Sequence, residues 1–434
     1  MTLRAILLLC LPFLAGCRGT VIAEQGPDPW AGTDGVAAPL PPNGSSPEAW
    51  NGWWVRFPTM GTTVSAITTL GEDAILVVDG TAGELDLGSG SVAPDLPSSD
   101  PVQVLIRVSS TGAVTWAHVL EDAFAPVAVD ATSRILLAGA HGLAIYDASG
   151  QLVDTTSWGD GASVEAFAPT ADGGLVVGME ANGPVDFGHG PVSTVTAPPV
   201  GLLARLGSDG SLLWLREVTG GESFQTVSFQ TVGEDGAGHI IAVTTGGGDA
   251  AWGDLEIHGD GDASAECTAC FGADGTALWG TVTTGLDSNS RAVVTRYPGV
   301  LLSGGVAGSL AFNGADVPYG DLGGYNETGV VVRLDGAGNL DSFLALGPGS
   351  YSVAAGPNRM FAGAPMSVNK PLGLVWCADG AEPCDRYGLP ETEATSLVAV
   401  TATGSAAYAV GQMRRTPGGS LANREQLYMM RLTP

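Results

Sequence analysis

Short apolar runs of strand length alternate along this chain with breaks built from glycine, aspartate and serine. The clearest unit is Gly201 to Val218, GLLARLGSDGSLLWLREV. An apolar run ends in Arg205-Leu206, a Ser208-Asp209-Gly210 turn follows, and a second apolar run carries Trp214 four residues after the glycine. Runs rich in β-branched and aliphatic residues, bounded by turn formers, predict strands. Almost nowhere does an i, i+3, i+4 pattern persist, so little helix is expected.

The unit recurs. Arg107, Ile145, Cys270, Arg333 and Val375 stand five residues before Gly112, Gly150, Gly275, Gly338 and Gly380, as Arg205 does before Gly210, and Arg431-Leu432 is a seventh copy. The mean spacing is roughly 54 residues, the scale of a propeller blade made of several strands. A second apolar run precedes each mark, from Ile75-Leu76-Val77-Val78 to Ala407-Tyr408-Ala409-Val410. With a looser stretch before it, each unit holds four strands, A to D. The expected fold is all-β: a seven-bladed β-propeller of four-stranded blades. Trp54-Val55-Arg56-Phe57 matches Trp214-Leu215-Arg216-Glu217. Residues 52–58 are therefore expected to supply the outer strand of the last blade, closing the ring and removing two bare sheet edges. Trp54, Trp116, Trp214 and Trp279 form the structural repeat. The competing architectures are two stacked β-sandwiches or an open solenoid. The propeller spans 51–434 as one domain.

The N-terminus carries different information. Arg4 precedes the short apolar run Ala5 to Leu14, and Leu14-Ala15-Gly16-Cys17 resembles a bacterial lipobox. The resemblance implies a signal peptide at 1–16, cleavage before Cys17 and a diacylglycerol on its sulfur. Several acyl chains anchor a protein stably where one does not. The alternative is an ordinary secretory signal with a chance cysteine. Residues 17–50, rich in proline and glycine, read as a lipidated cysteine and a disordered tether. Arg18 is not the aspartate that resembles an inner-membrane retention signal. The expected address is thus the bacterial outer membrane, facing the periplasm or the surface, with the lipid as the sole membrane attachment.

Charge and cysteines narrow the chemistry. Seventeen basic against 45 acidic residues give a net −28, which would repel a phosphate backbone, so nucleic acid is excluded as a partner. Acidity also suits loosely held divalent cations. His258-Gly259-Asp260-Gly261-Asp262 is the best local candidate for Ca²⁺, through Asp260 and Asp262, but it lacks the twelfth-position glutamate of an EF-hand. No other cofactor is expected. His118, His141, His189, His239 and His258 are scattered without metal-binding spacing, and neither a GxSxG nor a P-loop occurs. Cys377 and Cys384 flank the Asp379-Gly380 turn, where a cross-strand disulfide is geometrically easy. Cys267 and Cys270 are disulfide candidates only if their strand breaks, because positions three apart in a strand face opposite ways. Otherwise they are free thiols, a redox pair, or half of a four-cysteine zinc site with Cys377 and Cys384, which a ring does not favour because units four and six would have to meet.

Long connections between strands B and C (79–101, 179–200, 244–265, 304–327 and 411–425) share a small motif. It appears as Leu85-Asp86-Leu87-Gly88, Val185-Asp186-Phe187-Gly188 and Leu310-Ala311-Phe312-Asn313-Gly314, with Ala251-Trp252-Gly253 as a weaker copy. The motif reads as an extra turn packed on its blade; such loops are also where binding resides. The turn-plus-tryptophan pattern resembles the tryptophan-docking repeat of quinoprotein-type propellers; Ala144 to Gly150 comes nearest to that family's core, and the tryptophan itself is missing after Gly150, Gly338 and Gly380. That family's dehydrogenases use Ca²⁺ and often adjacent cysteines, which are absent here. The lipobox, the linker and the degenerate repeats together are more similar to bacterial β-propeller-repeat (SBBP-like) lipoproteins. That resemblance implies a non-catalytic binding or scaffold module, probing an envelope protein or glycan through the B–C loops, as a monomer. The alternatives are a propeller enzyme, quinoprotein-like or hydrolytic, with a central-channel site, and an outer-membrane assembly scaffold.

Overall fold

The computed structural model describes residues 38–39, 51–57, 62–82, 85–87, 95–97, 99–121, 124–139, 142–188, 190–193, 200–220, 228–245, 250–258, 265–286, 291–294, 299–317, 328–348, 352–356, 359–363, 373–378, 385–388, 394–403, 405–414 and 425–433. Among them the regular structure is strand, with no helix.

The strands follow the repeat. Unit 1 is an antiparallel meander of Thr63–Leu70, Asp73–Thr81, Pro101–Val108 and Val114–Leu120. Unit 2 runs Phe124–Val129, Ile135–Gly139, Gly142–Tyr146 and Leu152–Ser157. Unit 3 runs Ala162–Pro169, Leu175–Ala181, Val200–Leu206 and Leu212–Gly220. Unit 4 comprises Ser228–Glu234, Ile240–Thr245, Glu266–Phe271 and Ala277–Leu286. Unit 5 comprises Arg291–Val294, Gly299–Phe312, Thr328–Asp335 and Leu340–Pro348. These two units fuse into one sheet where Thr283 pairs with Phe312. Unit 6 runs Ser352–Gly356, Arg359–Gly363, Gly373–Ala378 and Asp385–Gly388. Unit 7 has Ala394–Ala402, Ala407–Arg414 and Glu425–Thr433, and its fourth strand is Asn51–Arg56. Ala38–Pro39, within the stretch read as an unstructured tether, adds two residues outside that strand.

First strands of successive units lie side by side along the chain, and Ala394–Ala402 in turn lies against Thr63–Leu70. The arrangement is all-β and propeller-like. Among the described residues the inner strands of units 1 to 5 are buried on both faces, which explains their unbroken apolar runs. Leu76 and Val78 pack toward Trp53, Val55, Tyr408 and Met429 of unit 7, while Ile75 and Val77 pack toward Ile135 and Leu137 of unit 2. Neighbouring residues of one strand thus serve two different cores.

The fourth strand of unit 7 is offset by one residue from the sequence expectation. Its register is Trp53↔Arg431, matching Trp116↔Arg107 and Trp214↔Arg205. Trp53, not Trp54, therefore occupies the repeat position. A one-residue slip turns every side chain to the other face, and adjacent tryptophans hid it.

The insert motifs turn inward. Leu85, Val185, Trp252 and Leu310 are fully buried in inter-unit cores. Asp186 holds its turn by accepting the Gly188 and Gly190 amides at 2.8 and 2.9 Å. Aspartates at the tight turns act alike. Asp130, Asp147, Asp235 and Asp335 each accept the amides two and four residues on, as in Asx turns. Much of the acidity is thus part of the turn architecture.

Candidate functional site

The site begins with a contact that recurs at four seams and a seam that lacks it. Four tryptophans sit on the outer strand of their unit and reach across the seam to the C–D turn of the next. Trp53 Nε1 donates to Ser110 O at 2.6 Å, Trp116 to Ala148 O at 3.3 Å, Trp214 to Ala273 O at 3.0 Å and Trp279 to Gly336 O at 2.9 Å. Every one of these carbonyls lies two residues before the turn glycine: Gly112, Gly150, Gly275 or Gly338. Those glycines have φ of +86°, +81°, +82° and +78°. Three of them also need to lack a side chain because of the ring beside them. A Cβ would come within 2.6 Å of His118 and 3.1 Å of Trp116 at Gly150, 2.8 Å of Trp214 at Gly275, and 2.5 Å of Trp279 at Gly338. Each indole buries large apolar area and has its N–H satisfied.

Between units 2 and 3 the same geometry lacks its ring. The register pairs Ile145 with Asp154, so Asp154 stands where the tryptophan would. The facing turn is unaltered: Gly210 has φ +80° and donates its N–H to Gly207 O at 2.9 Å. Yet a Cβ on Gly210 would meet nothing within 4 Å. A cleft of about 360 Å³ opens there. Leu136, Leu143, Ile145, Leu175 and Leu206 form an apolar floor. Trp158 and Phe187, with ring centroids 5.9 Å apart, close the opposite end. Asp154, Thr156 and Trp158 alternate along one face of their strand and connection, so one line of the cleft grades from carboxylate to indole.

The polar rim is firmly built. Asp130 is buried, which pulls its carboxyl pKa up. Hydrogen bonds from Arg134 (Nε at 2.6 Å) and Thr132 outweigh that and hold it below the usual carboxylate range. Behind the unit 3 wall, Arg205 grips both oxygens of Asp172 at 2.7 and 2.8 Å and donates to Leu206 O at 2.8 Å. The Arg205 bond, helped by Thr170, brings Asp172 down to about 2. Gly174 lets this clamp close, because a Cβ there would lie 2.2 Å from Leu206 O and 2.4 Å from an Arg205 guanidinium nitrogen. Ser208 and Asp209 of the turn complete the rim, with Asp209 accepting from Ser211 N and Oγ at 3.0 and 2.6 Å.

The residues singled out from sequence lie elsewhere. Trp116, Trp214 and Trp279 occupy other seams. Cys267 and Cys270 form no disulfide: the strand Glu266–Phe271 is unbroken, and the two thiols point into different cores. Burial pushes the Cys270 thiol up to about 12, away from redox reactivity. Cys17, Cys384, Asp260 and Asp262 lie outside the described residues, as do His141, His189 and residues 1–37, where a signal peptide is expected. Cys377 lies in Gly373–Ala378, but its side chain is outside them too. Among the described residues no three His, Cys, Asp or Glu side chains gather as a metal site. His118 stacks on Trp116 at 5.2 Å, and His239 lies 3.2 Å from Asp235. Asp154, Ser208 and Trp158 were missed. The available signal, a non-aromatic residue four positions after Gly150, also occurs after Gly338 and Gly380 and so did not single out this seam.

No protein-family model matches the chain, and no curated protein is significantly similar to it. Among solved structures, polysaccharide lyase Uly1 is similar in shape, with 11% identity and a TM-score of 0.48, covering 85% of this chain and 89% of that one. Virginiamycin B lyase from Staphylococcus aureus has 8% identity and a TM-score of 0.46, with coverages of 89% and 100%. The Neurospora crassa Pan2 WD40 domain has 8% identity and a TM-score of 0.46, with coverages of 88% and 95%. At these identities the likeness is one of shape and assigns no residue a role.

Proposed function

We propose that this chain is a non-catalytic binding module: a seven-bladed propeller whose ligand site is the cleft between units 2 and 3. One observation carries the reading. A position that holds an indole at four other seams is vacated at this one, leaving an apolar-floored cavity within the roughly 300–1,000 Å³ range of small-molecule sites. The rim carboxylate Asp130 is held ionised and engaged with Arg134, which suits recognition more than proton transfer. The B–C inserts bury their apolar side chains in the seams, which favours the cleft over those loops as the ligand site. Seven blades and a closed ring are supported by the side-by-side first strands and by the pairing of Asn51–Arg56 with Glu425–Thr433.

A thermal-shift screen of small molecules, run in parallel on the full chain and on Asp154→Trp, tests the site. Ligands whose stabilisation disappears in the variant support it, and ligands that stabilise both equally reject it. Deleting residues 50–58 is expected to lower the melting temperature sharply; unchanged melting rejects the closed ring. The address is part of the proposal: Cys17 carries a lipid that holds the module at a bacterial outer membrane. Cys17→Ser is expected to move the protein from the membrane to the soluble fraction.

A further inference from the structure

We infer that the cleft between units 2 and 3 takes a small aromatic amine of the indole class. Its ring N–H donates to the Ser208 carbonyl and its ammonium lies against Asp154 and Asp209. This rests on reading the cleft as the ligand site, and the molecule itself supplies the template. Four seams hold an indole whose N–H reaches, at 2.6–3.3 Å, the carbonyl two residues before the turn glycine. In the unit 3 turn that residue is Ser208. Trp214 packs on Phe271, four residues before its turn glycine, with centroids 5.9 Å apart. The corresponding residue here is Leu206, buried and facing the cleft. The seat for the ring is therefore conserved in shape and in its acceptor.

What differs is the attachment. Elsewhere the ring hangs from its own strand through a Cβ at the position of Asp154. A ring arriving from outside has its side arm emerge at that point, beside the carboxylate. Asp154 accepts the amide of Thr155 at 2.8 Å, which leaves acceptor capacity on the carboxylate. Asp209 stands on the facing turn. The guanidinium of Arg134 is paired with Asp130 at 2.6 Å, so the lining carries a surplus of negative charge. An ammonium on the side arm complements it; a carboxylate does not.

The test is calorimetric titration of the full chain with tryptamine, 2-phenylethylamine and indole-3-acetate. Tryptamine is expected to bind about tenfold tighter than 2-phenylethylamine, which leaves the Ser208 carbonyl without a donor. It should also bind at least about tenfold tighter than indole-3-acetate, which brings a like charge to the rim. Asp154→Asn should reduce the preference for amine over acid, and an unchanged preference overturns the placement of the ammonium beside Asp154. Asp154→Trp should abolish binding of all three while melting at or above the wild-type temperature, which shows that it is folded. Tryptamine binding no tighter than 2-phenylethylamine, or failing to bind at millimolar concentration, overturns the indole assignment. If 2-phenylethylamine or a screened ligand is still lost in Asp154→Trp, the cleft itself survives as the site. If binding of every probe persists in that variant, cleft and indole assignment fall together.

Discussion

The seam between units 3 and 4 and the seam between units 2 and 3 are built from the same parts and end differently. At the first, Trp214 lies over Gly275 and donates to Ala273 O. At the second, Asp154 faces Gly210 across an open cleft. The turns share backbone conformation and hydrogen bonding. A single side chain thus decides whether a seam is sealed or accessible, and the fold tolerates both because Trp158 and Phe187 fill the far end of the open one. Repetition of structure allows a repeat to be released from a packing duty that four others perform.

The comparison is tested most severely by removing a ring from a sealed seam. Trp53→Ala is expected to cost about 3–5 kcal/mol in urea denaturation, because the side chain is buried in the core between units 7 and 1 and its N–H is satisfied there. A loss below about 1 kcal/mol, against that range, contradicts a sealing role. A sharper contrast comes from the paired turns. Gly210→Ala is strained by its positive φ alone, at about 1 kcal/mol. Gly275→Ala adds a Cβ at 2.8 Å from the Trp214 ring and is expected to cost about 1–3 kcal/mol more. Equal losses at both sites would mean that the seams do not differ as described.

The smallest effect concerns the wall of the open seam. Asp172 titrates at about 2 in the folded chain, below its ordinary 3.8, through its bond to Arg205. A lowered folded pKa contributes stability above the ordinary value that is lost as pH falls from about 4 to about 2. Asp172 is 60% exposed, so the contribution at neutral pH is expected to stay near or below about 1 kcal/mol. Comparing wild type with Asp172→Asn across that pH range, the difference should shrink toward nil on acidification. A constant difference rejects the coupling.

Strand count per unit and turn position were legible because period-two burial and positive-φ glycines leave direct marks in sequence. The opposite facing of Cys267 and Cys270 follows from strand geometry alone. Trp53 was concealed by its neighbour Trp54, since hydrophobic pattern cannot choose between two adjacent indoles. The loss of tryptophan after Gly150 was visible, but the cavity it leaves was not. That cavity depends on Leu206 and Ser208, over fifty residues further on, meeting Ile145 across a seam. In the sequence the aspartates entered chiefly as net charge, whereas several serve as local acceptors for their own turns.

Asn51–Arg56 lies beside Glu425–Thr433, so this strand finds its partner only after every unit between the two has been made. Units 1 to 6 assemble from neighbouring segments as they leave the ribosome, while this last pairing waits. A nascent product halted before residue 425 exposes Asn51–Arg56 and Ala407–Arg414 as two bare edges. In that interval the two edges are open to pairing with another chain.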